Sequence, residues 1–299
     1  MTNIDENIMV SLRRENANRM VALPDGSVMP QVGQGTWYLG EDPAKRQEEI
    51  EALQLGVQLG MTLIDTAEMY GDGKSESLVG EAIKGIRDQV YLVSKVYPHR
   101  ASRNEILAAC AESLRRLDTD HLDLYLLHWR GNVPLSQTIA GMEQLKAEGK
   151  IGRWGVSNFD IHDMQSLLSM EHGNQCQVNQ VLYHLGSRGI EYDLLKWQRE
   201  RNIPIMAYSP LAQGGRLRGQ LLESEEVQNI AKKHNVEAIQ VILAWCIIHP
   251  DVAAIPRSSN PEHTYLNAQA SKIRLDDDDL KLLDARFPAP TFKTALDII

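Results

Sequence analysis

Four side chains in three short stretches are of the types that protonate a carbonyl oxygen. Asp65 and Tyr70 lie in LIDTAEMYGDG, Lys95 in YLVSK and His128 in LYLLHW. Reducing a carbonyl requires hydride on carbon and a proton on oxygen, so a site wants one good acid in an electropositive setting. A free tyrosine, with a pKa of about 10, donates poorly at neutral pH. A neighbouring ammonium stabilises the phenolate and lowers that pKa. A carboxylate paired with the ammonium keeps it charged and in place. Asp65, Tyr70 and Lys95 supply these three groups, and His128 can orient the carbonyl oxygen or relay the proton. This chemistry requires no metal.

Taken singly, each residue also has a plainer reading. Tyr70, ahead of Gly71-Asp72-Gly73, could be a solvated loop tyrosine, and Lys95 a solvated strand end. Asp65 could cap a turn, and His128 could be a hydrogen-bonded core histidine. Their recurrence at the ends of successive apolar, β-branched runs is what points to a shared site.

Those runs belong to a longer alternation. Strand-like segments fall at 31–35, 61–66, 90–95, 122–128, 153–158, 177–181, 203–209 and 252–256. Helical patterns fall between or after them, at 44–60, 75–87, 102–117, 136–149, 160–170, 191–202, 225–248 (two helices) and 261–270. Ser102 with Glu105 reads as a capping box, and Gly60 and Gly149 as helix stops. Eight strands alternating with helices imply a parallel β/α architecture, and the count favours a closed (β/α)8 TIM barrel with its ligands at the C-terminal strand ends. A doubly wound sheet would carry a glycine-rich fingerprint after its first strand. Gly33-Gln-Gly35-Thr-Trp-Tyr38 lacks the third glycine and precedes a loop. Upstream, MVALPDGSVMPQ turns at Pro24-Asp25-Gly26 and predicts an N-terminal β-hairpin cap. Residues 1–19 read as a polar, mobile extension and residues 20–299 as one barrel domain.

The 299 residues carry a formal charge of −9 and are 43% hydrophobic, which provides a core but repels nucleic acid and anionic membranes overall. No window approaches the roughly 18 apolar residues of a membrane span. Nor does the N-terminal stretch have a signal peptide's apolar centre. Cys110, Cys176 and Cys246 are odd in number and widely spaced, so buried free thiols and a cytoplasmic location are expected. The default assembly is a monomer.

The stretches GQGTW, LIDTAEMYGDGKSESLVGEAI, VYLVSKVYP, SLRRLDTDHLDLYLLHW, GKIGRWGVSNF, VNQVLYH, MAYSPLAQGG and IPRSSNPEHTYLNA occur in order from about Val32 to Asn267. Together they resemble the successive signatures of the aldo-keto reductases, and most nearly the bacterial aldehyde and methylglyoxal reductases among them. The resemblance implies a TIM barrel that reduces aldehydes and some ketones with NADPH, with Tyr70 as general acid, Asp65 and Lys95 tuning it and His128 orienting the substrate. It implies a nicotinamide stacked on Tyr208, with the carboxamide held by Ser157, Asn158 and Gln180. Thr36, Trp37 and Asp65 would line the cofactor site. The loop from Ser209 to Arg216, through Pro210, Leu211 and Gln213, would close over the pyrophosphate. The adenosine end would fall to Pro256, Arg257, Ser258, Ser259, His263 and Asn267.

This adenosine end departs from the family pattern. Arg257 stands where lysine is usual and can meet a 2′-phosphate bidentately. His263 stands for the arginine that packs on adenine, and Leu266 for a glutamate. NADPH preference should therefore rest on Arg257, Ser258 and Ser259. Trp37, Tyr97 and Trp129, with His128, match positions lining the substrate pocket, an apolar wall suited to small or aromatic aldehydes.

Other readings are weaker. Tyr192 and Lys196 have the spacing of a short-chain dehydrogenase pair, but the surrounding stretch reads as an amphipathic helix with Leu194, Leu195 and Trp197 inward. No His and carboxylate cluster has metal-site spacing. A regulatory or scaffold subunit that binds NADPH with little turnover is the remaining alternative from another class.

Overall fold

The computed structural model describes residues 4–213 and 216–299. A two-stranded antiparallel hairpin, β1 (Met20–Ala22) and β2 (Val28–Pro30), precedes an eight-stranded parallel sheet. The sheet runs through β3 (Gly33–Gly35), β4 (Leu63–Asp65), β5 (Tyr91–Val96), β6 (Leu122–Leu127), β7 (Ile151–Ser157), β8 (Cys176–Leu182), β9 (Ile205–Tyr208) and β10 (Val252–Ile255) in sequence order. Parallel bridges from Val32 to Ala254 and from Gly35 to Arg257 join the last strand to the first. The sheet is thereby closed as the (β/α)8 barrel that the alternation predicts.

Helices surround it: α1 (Glu6–Asn18), α2 (Arg46–Gln58), α3 (Lys74–Ala82), α4 (Arg103–Arg116), α5 (Leu135–Ala147), α6 (Ile161–Leu168), α7 (Leu194–Arg199), α8 (Arg216–Leu222), α9 (Glu225–His234), α10 (Ala238–Cys246), α11 (Pro261–Gln269) and α12 (Asp277–Arg286). None of the described helices is long and apolar enough to cross a membrane.

Side chains alternate along each strand, and this sorts the core into two. The inner set is Leu63, Val93, Leu124, Leu126, Val178, Met206, Ala253 and Ile255. Val21, Leu23 and Met29 of the hairpin join it, so the ribbon plugs the barrel. Burying each of those three side chains is worth on the order of 2 kcal/mol. The outer set, among it Ile64, Leu92, Tyr125, Leu127, Trp154 and Val156, packs under the helices.

Four expectations change. The first 19 residues hold helix α1 where a mobile extension was expected. Asp5 caps the helix by accepting from the amides of Asn7 and Ile8. Leu12 is fully buried, and Asn16 Nδ2 donates to the carbonyls of Leu12, Leu59 and Ala268 at 3.0–3.1 Å. Ser102 and Glu105 do not form a capping box. The serine hydroxyl donates to the Glu105 carboxylate and caps no backbone amide. The helix predicted from residue 75 ends at Ala82, and the 191–202 pattern shortens to α7. Helices α8 and α12 are additions. Gly60 and Gly149 do end α2 and α5, at φ of 90° and 69°. Tyr192 is exposed and precedes α7, while Leu194 and Leu195 are buried within it, so the Tyr192–Lys196 spacing spans the start of a surface helix. All three cysteines are free and buried.

Candidate active site

The strand period that builds the inner core also builds the site. Leu63 and Asp65 share the inner face of β4, Val93 and Lys95 that of β5, and Val178 and Gln180 that of β8. His128 follows Leu124 and Leu126 at the same spacing, one residue beyond β6. In each strand the apolar residue fills the barrel and the polar one, two residues later, sits above it at the C-terminal end.

Tyr70 arrives from the loop after β4. There Gly71, Asp72 and Gly73 take left-handed backbone angles in succession, with φ of 57°, 53° and 85°. Glycine at two of the three positions makes this turn accessible before α3 begins.

The groups meet as one hydrogen-bonded chain. Lys95 Nζ lies 2.7 Å from Asp65 Oδ2 and 3.0 Å from Tyr70 Oη, and donates also to the Thr66 carbonyl at 2.9 Å. Gln180 Nε2 donates to the other Asp65 oxygen at 2.8 Å. The Tyr70 ring lies edge-on to His128, 5.8 Å between centroids. Lys95 is fully buried and Asp65 1% exposed.

Electrostatics follow from this burial. Desolvation works against the charge on Lys95, yet Asp65 and Tyr70 outweigh it and hold the ammonium above its ordinary pKa. Burial raises the Asp65 carboxyl, opposed by Lys95 and Gln180, and the 2.7 Å contact is a charged pair. Burial also raises the Tyr70 phenol, and it outweighs the lowering by Lys95. The lysine's expected influence is present, but the net shift is upward, so the phenol holds its proton at neutral pH. Burial, with Lys95 second, pushes His128 well below its usual value and leaves it neutral. Its Nδ1 is buried without a partner. The arrangement is a protonated phenol and a neutral imidazole facing one pocket.

Two cavities share Trp37, Tyr70 and Tyr208 in their walls. The smaller adds His128, Ser157, Asn158 and Gln180, together with Met69 and Ile299. The larger runs outward past Thr36, Asp65, Ser209, Pro210, Leu211 and Gln213 to Pro256 and Arg257. Asn158, at φ 57°, donates through Nδ2 to the His128 carbonyl and accepts at Oδ1 from the Tyr208 hydroxyl, 2.9 Å away. The Ser157 hydroxyl donates to the Gln180 carbonyl, and Thr36 Oγ1 donates to that of Asp65.

Several expected residues stand apart from these cavities. Tyr97 and Trp129 pack edge-to-face at 6.0 Å, with Trp129 5.0 Å from His128, but neither lines the pocket at Tyr70. Arg216 opens α8, and Arg218, two residues later and so on a different face, is the arginine that reaches the cleft. Gly214 and Gly215 of the expected closing loop lie outside the described residues. Ser258 donates its hydroxyl to the Asn260 carbonyl, His263 is exposed on the first turn of α11, Ser259 is half-buried and Asn267 is buried in that helix.

Sequence reasoning did not single out Tyr38, Met69, Arg218 or Ile299. Ile299 reaches the pocket because Lys293 bridges Asp160 and Asp193 at 2.6 and 2.9 Å and Ser187 bonds Asp297. No local pattern signals a contact between a chain segment this remote and Tyr208.

Comparison with known proteins agrees with this geometry. Residues 31–286 match the model of the aldo/keto reductase family. The chain is 54% identical to methylglyoxal reductase YeaE of Escherichia coli (strain K12), over 94% of its own length and 99% of that protein's. It is 35% identical to glyoxal reductase of Bacillus subtilis (strain 168), over 89% and 91%. The crystal structure of an aldo/keto reductase from Klebsiella pneumoniae in complex with NADP and acetate superposes with a TM-score of 0.92 at 51% identity, covering 94% of this chain and 99% of that one. With eight strands closed into a barrel and the Asp65, Tyr70, Lys95 and His128 quartet at their C-terminal ends, the chain belongs to the aldo/keto reductase family.

Proposed function

We propose that this protein is an NADPH-dependent reductase. Its substrates would be aldehydes, including small 2-oxoaldehydes such as methylglyoxal and aromatic aldehydes, and some ketones, all reduced to alcohols. The observation that carries this reading is the buried chain Asp65–Lys95–Tyr70, which ends in a protonated phenol beside a neutral imidazole.

The cleft suits a phosphorylated dinucleotide in its own right. Its inner end offers the Tyr208 ring and the Gln180 amide oxygen, with the Asn158 amide bonded to Tyr208, and its outer end is lined by Arg218 and Arg257. Tyr208 would stack on the nicotinamide, with Ser157, Asn158 and Gln180 taking its carboxamide. Ser209, Pro210, Leu211, Gln213 and Arg216 would flank the pyrophosphate. Pro256, Arg257, Ser258, Ser259, His263 and Asn267 would hold the adenosine end, with Arg257 on the 2′-phosphate. When bound, NADPH supplies the hydride for the carbonyl carbon.

The chain's own residues do the rest. The Tyr70 Oη–H bond breaks as its proton passes to the carbonyl oxygen, and the resulting phenolate is stabilised by the ammonium 3.0 Å away. Asp65 keeps Lys95 charged and fixed. A neutral His128 can donate one ring N–H to the same oxygen and so hold it toward Tyr70. The relatives named as methylglyoxal and glyoxal reductases support small 2-oxoaldehydes as the first substrates to try.

The test is to mix the protein with NADPH and methylglyoxal, then with a nitrobenzaldehyde, and follow loss of the reduced-nicotinamide absorbance. Consumption dependent on aldehyde is expected. NADPH binding with no consumption across the panel would replace this reading with that of a cofactor-binding subunit.

A further inference from the structure

Between β3 and α2 the chain makes a β-turn in which the Leu39 amide donates to the Thr36 carbonyl at 2.9 Å. Its third residue is Tyr38, at φ 67°. That position in such a turn ordinarily falls to glycine, and a bulky side chain there is strained. Both flanks are pinned. Thr36 is fully buried, with its hydroxyl on the Asp65 carbonyl, while the Ser75 hydroxyl donates to it at 2.8 Å. Leu39 is fully buried, and the Gly40 amide donates to the buried Glu49 carboxylate at 2.8 Å. Between these anchors the backbone can hold the left-handed angle, and strain held in this way is expected where a side chain must be aimed.

The aim of Tyr38 is evident. Its ring lies on Trp37 with centroids 4.7 Å apart and planes 15° from parallel, and Trp37 in turn lies over Tyr70 at 6.2 Å and 26°. Trp37 walls both cavities, whereas Tyr38 lines only the larger and is 49% exposed. Among the described residues, Tyr38 and Tyr70 are the two rings stacked with Trp37, and Tyr38 is the nearer and more nearly parallel.

We propose that Tyr38 is a positioning residue for substrate specificity. It holds Trp37 flat against the carbonyl pocket, so that the tryptophan presents a fixed wall to the aldehyde beside Tyr70. This rests on the reductase reading above but concerns a residue that reading does not use.

The experiment compares Tyr38→Phe and Tyr38→Gly with the unaltered protein, whose aldehyde turnover is measured first. Absence of that turnover would refute the reductase reading, whereas the outcomes below bear on Tyr38. Tyr38→Gly relieves the turn and removes the stack. Its thermal midpoint should hold or rise, and its aldehyde KM should rise about 3- to 10-fold, the range expected for losing one aromatic pair. Its kcat should stay within about 2-fold because no reacting group is touched, and its NADPH Kd should move less than the aldehyde KM. Tyr38→Phe keeps the ring and should restore the aldehyde KM. An unchanged KM in Tyr38→Gly would overturn the proposal. So would a raised KM in Tyr38→Phe, which would assign the effect to the hydroxyl, or a shift confined to NADPH affinity, which would make Tyr38 a cofactor contact.

Discussion

At the inner end of the cleft Lys95, Asp65 and Tyr70 are 0%, 1% and 8% exposed, and the two charges among them are paired at 2.7 Å. At the outer end Arg257 and His263 stand in solvent, and Ser258 spends its hydroxyl on its own loop. The inner end is therefore held by the protein's own hydrogen bonds, on barrel strands whose register fixes each side chain. The outer end offers charge without enclosure. Chemistry should be set by the first and cofactor choice by the second, so damage at each should differ in kind as well as in size.

Lys95→Met should produce the largest effect, because it removes charge from the inner end and strands Asp65. An unpaired buried carboxylate costs about 3–5 kcal/mol of stability. Turnover should fall at least about 100-fold as the phenol loses its electrostatic partner. Denaturant unfolding and aldehyde reduction measure the two losses. Asp65→Asn combined with Lys95→Met should recover much of the stability and none of the turnover. Recovery of both would mean that the pair is merely structural.

Acid should act next, and again through buried groups. Burial lowers His184 to about 4, with a weaker opposing pull from Asp297, and the ring accepts from the Gly186 amide at 3.1 Å. His128 is lowered in the same direction. A histidine depressed in the folded state takes its proton first in the unfolded chain, so stability is complete above pH 6.5 and is lost as pH falls from there. His184 alone should account for about 3 kcal/mol between pH 6.5 and 4. Melting curves across that window check it, and His184→Gln should flatten them. A midpoint constant from pH 7 to 4.5 would refute the assignment.

Arg257→Ala should be milder and should leave the inner end untouched. Loss of charge-assisted bonds to a 2′-phosphate should raise the NADPH KM about 10-fold and the NADH KM less than about 2-fold, with kcat held. Equal effects on both cofactors would place the 2′-phosphate elsewhere in the cleft.

The same contrast explains what the sequence made legible. The strands that carry the quartet were readable because each sets a polar residue two positions after an inward apolar one, as in Leu63–Asp65 and Val93–Lys95, and that period survives folding. Helix α1 was missed because Leu12 is its only fully buried apolar side chain and its anchor is Asn16, which bonds the carbonyls of Leu59 and Ala268, both far away in the chain. The upward shift of the Tyr70 phenol was missed because residue types reveal neighbours but not the depth of burial that outweighs Lys95. Gln180 was expected on a ligand carboxamide, and its amide nitrogen is already on Asp65, a contact between strands far apart in the chain. Arg218 in place of Arg216 at the cleft is a matter of helix phase, and Tyr38 one of backbone sign; neither leaves a mark in composition.

The central claim is that Tyr70 is the proton donor of a site built independently of the cofactor's outer contacts. The most direct measurement is NADPH consumption with methylglyoxal by Tyr70→Phe, paired with NADPH binding by fluorescence titration on the same sample. A fall of about 100-fold or more in turnover with Kd within about 2-fold is the predicted result. Turnover retained at the level of the unaltered protein would remove Tyr70 from the mechanism and contradict the account.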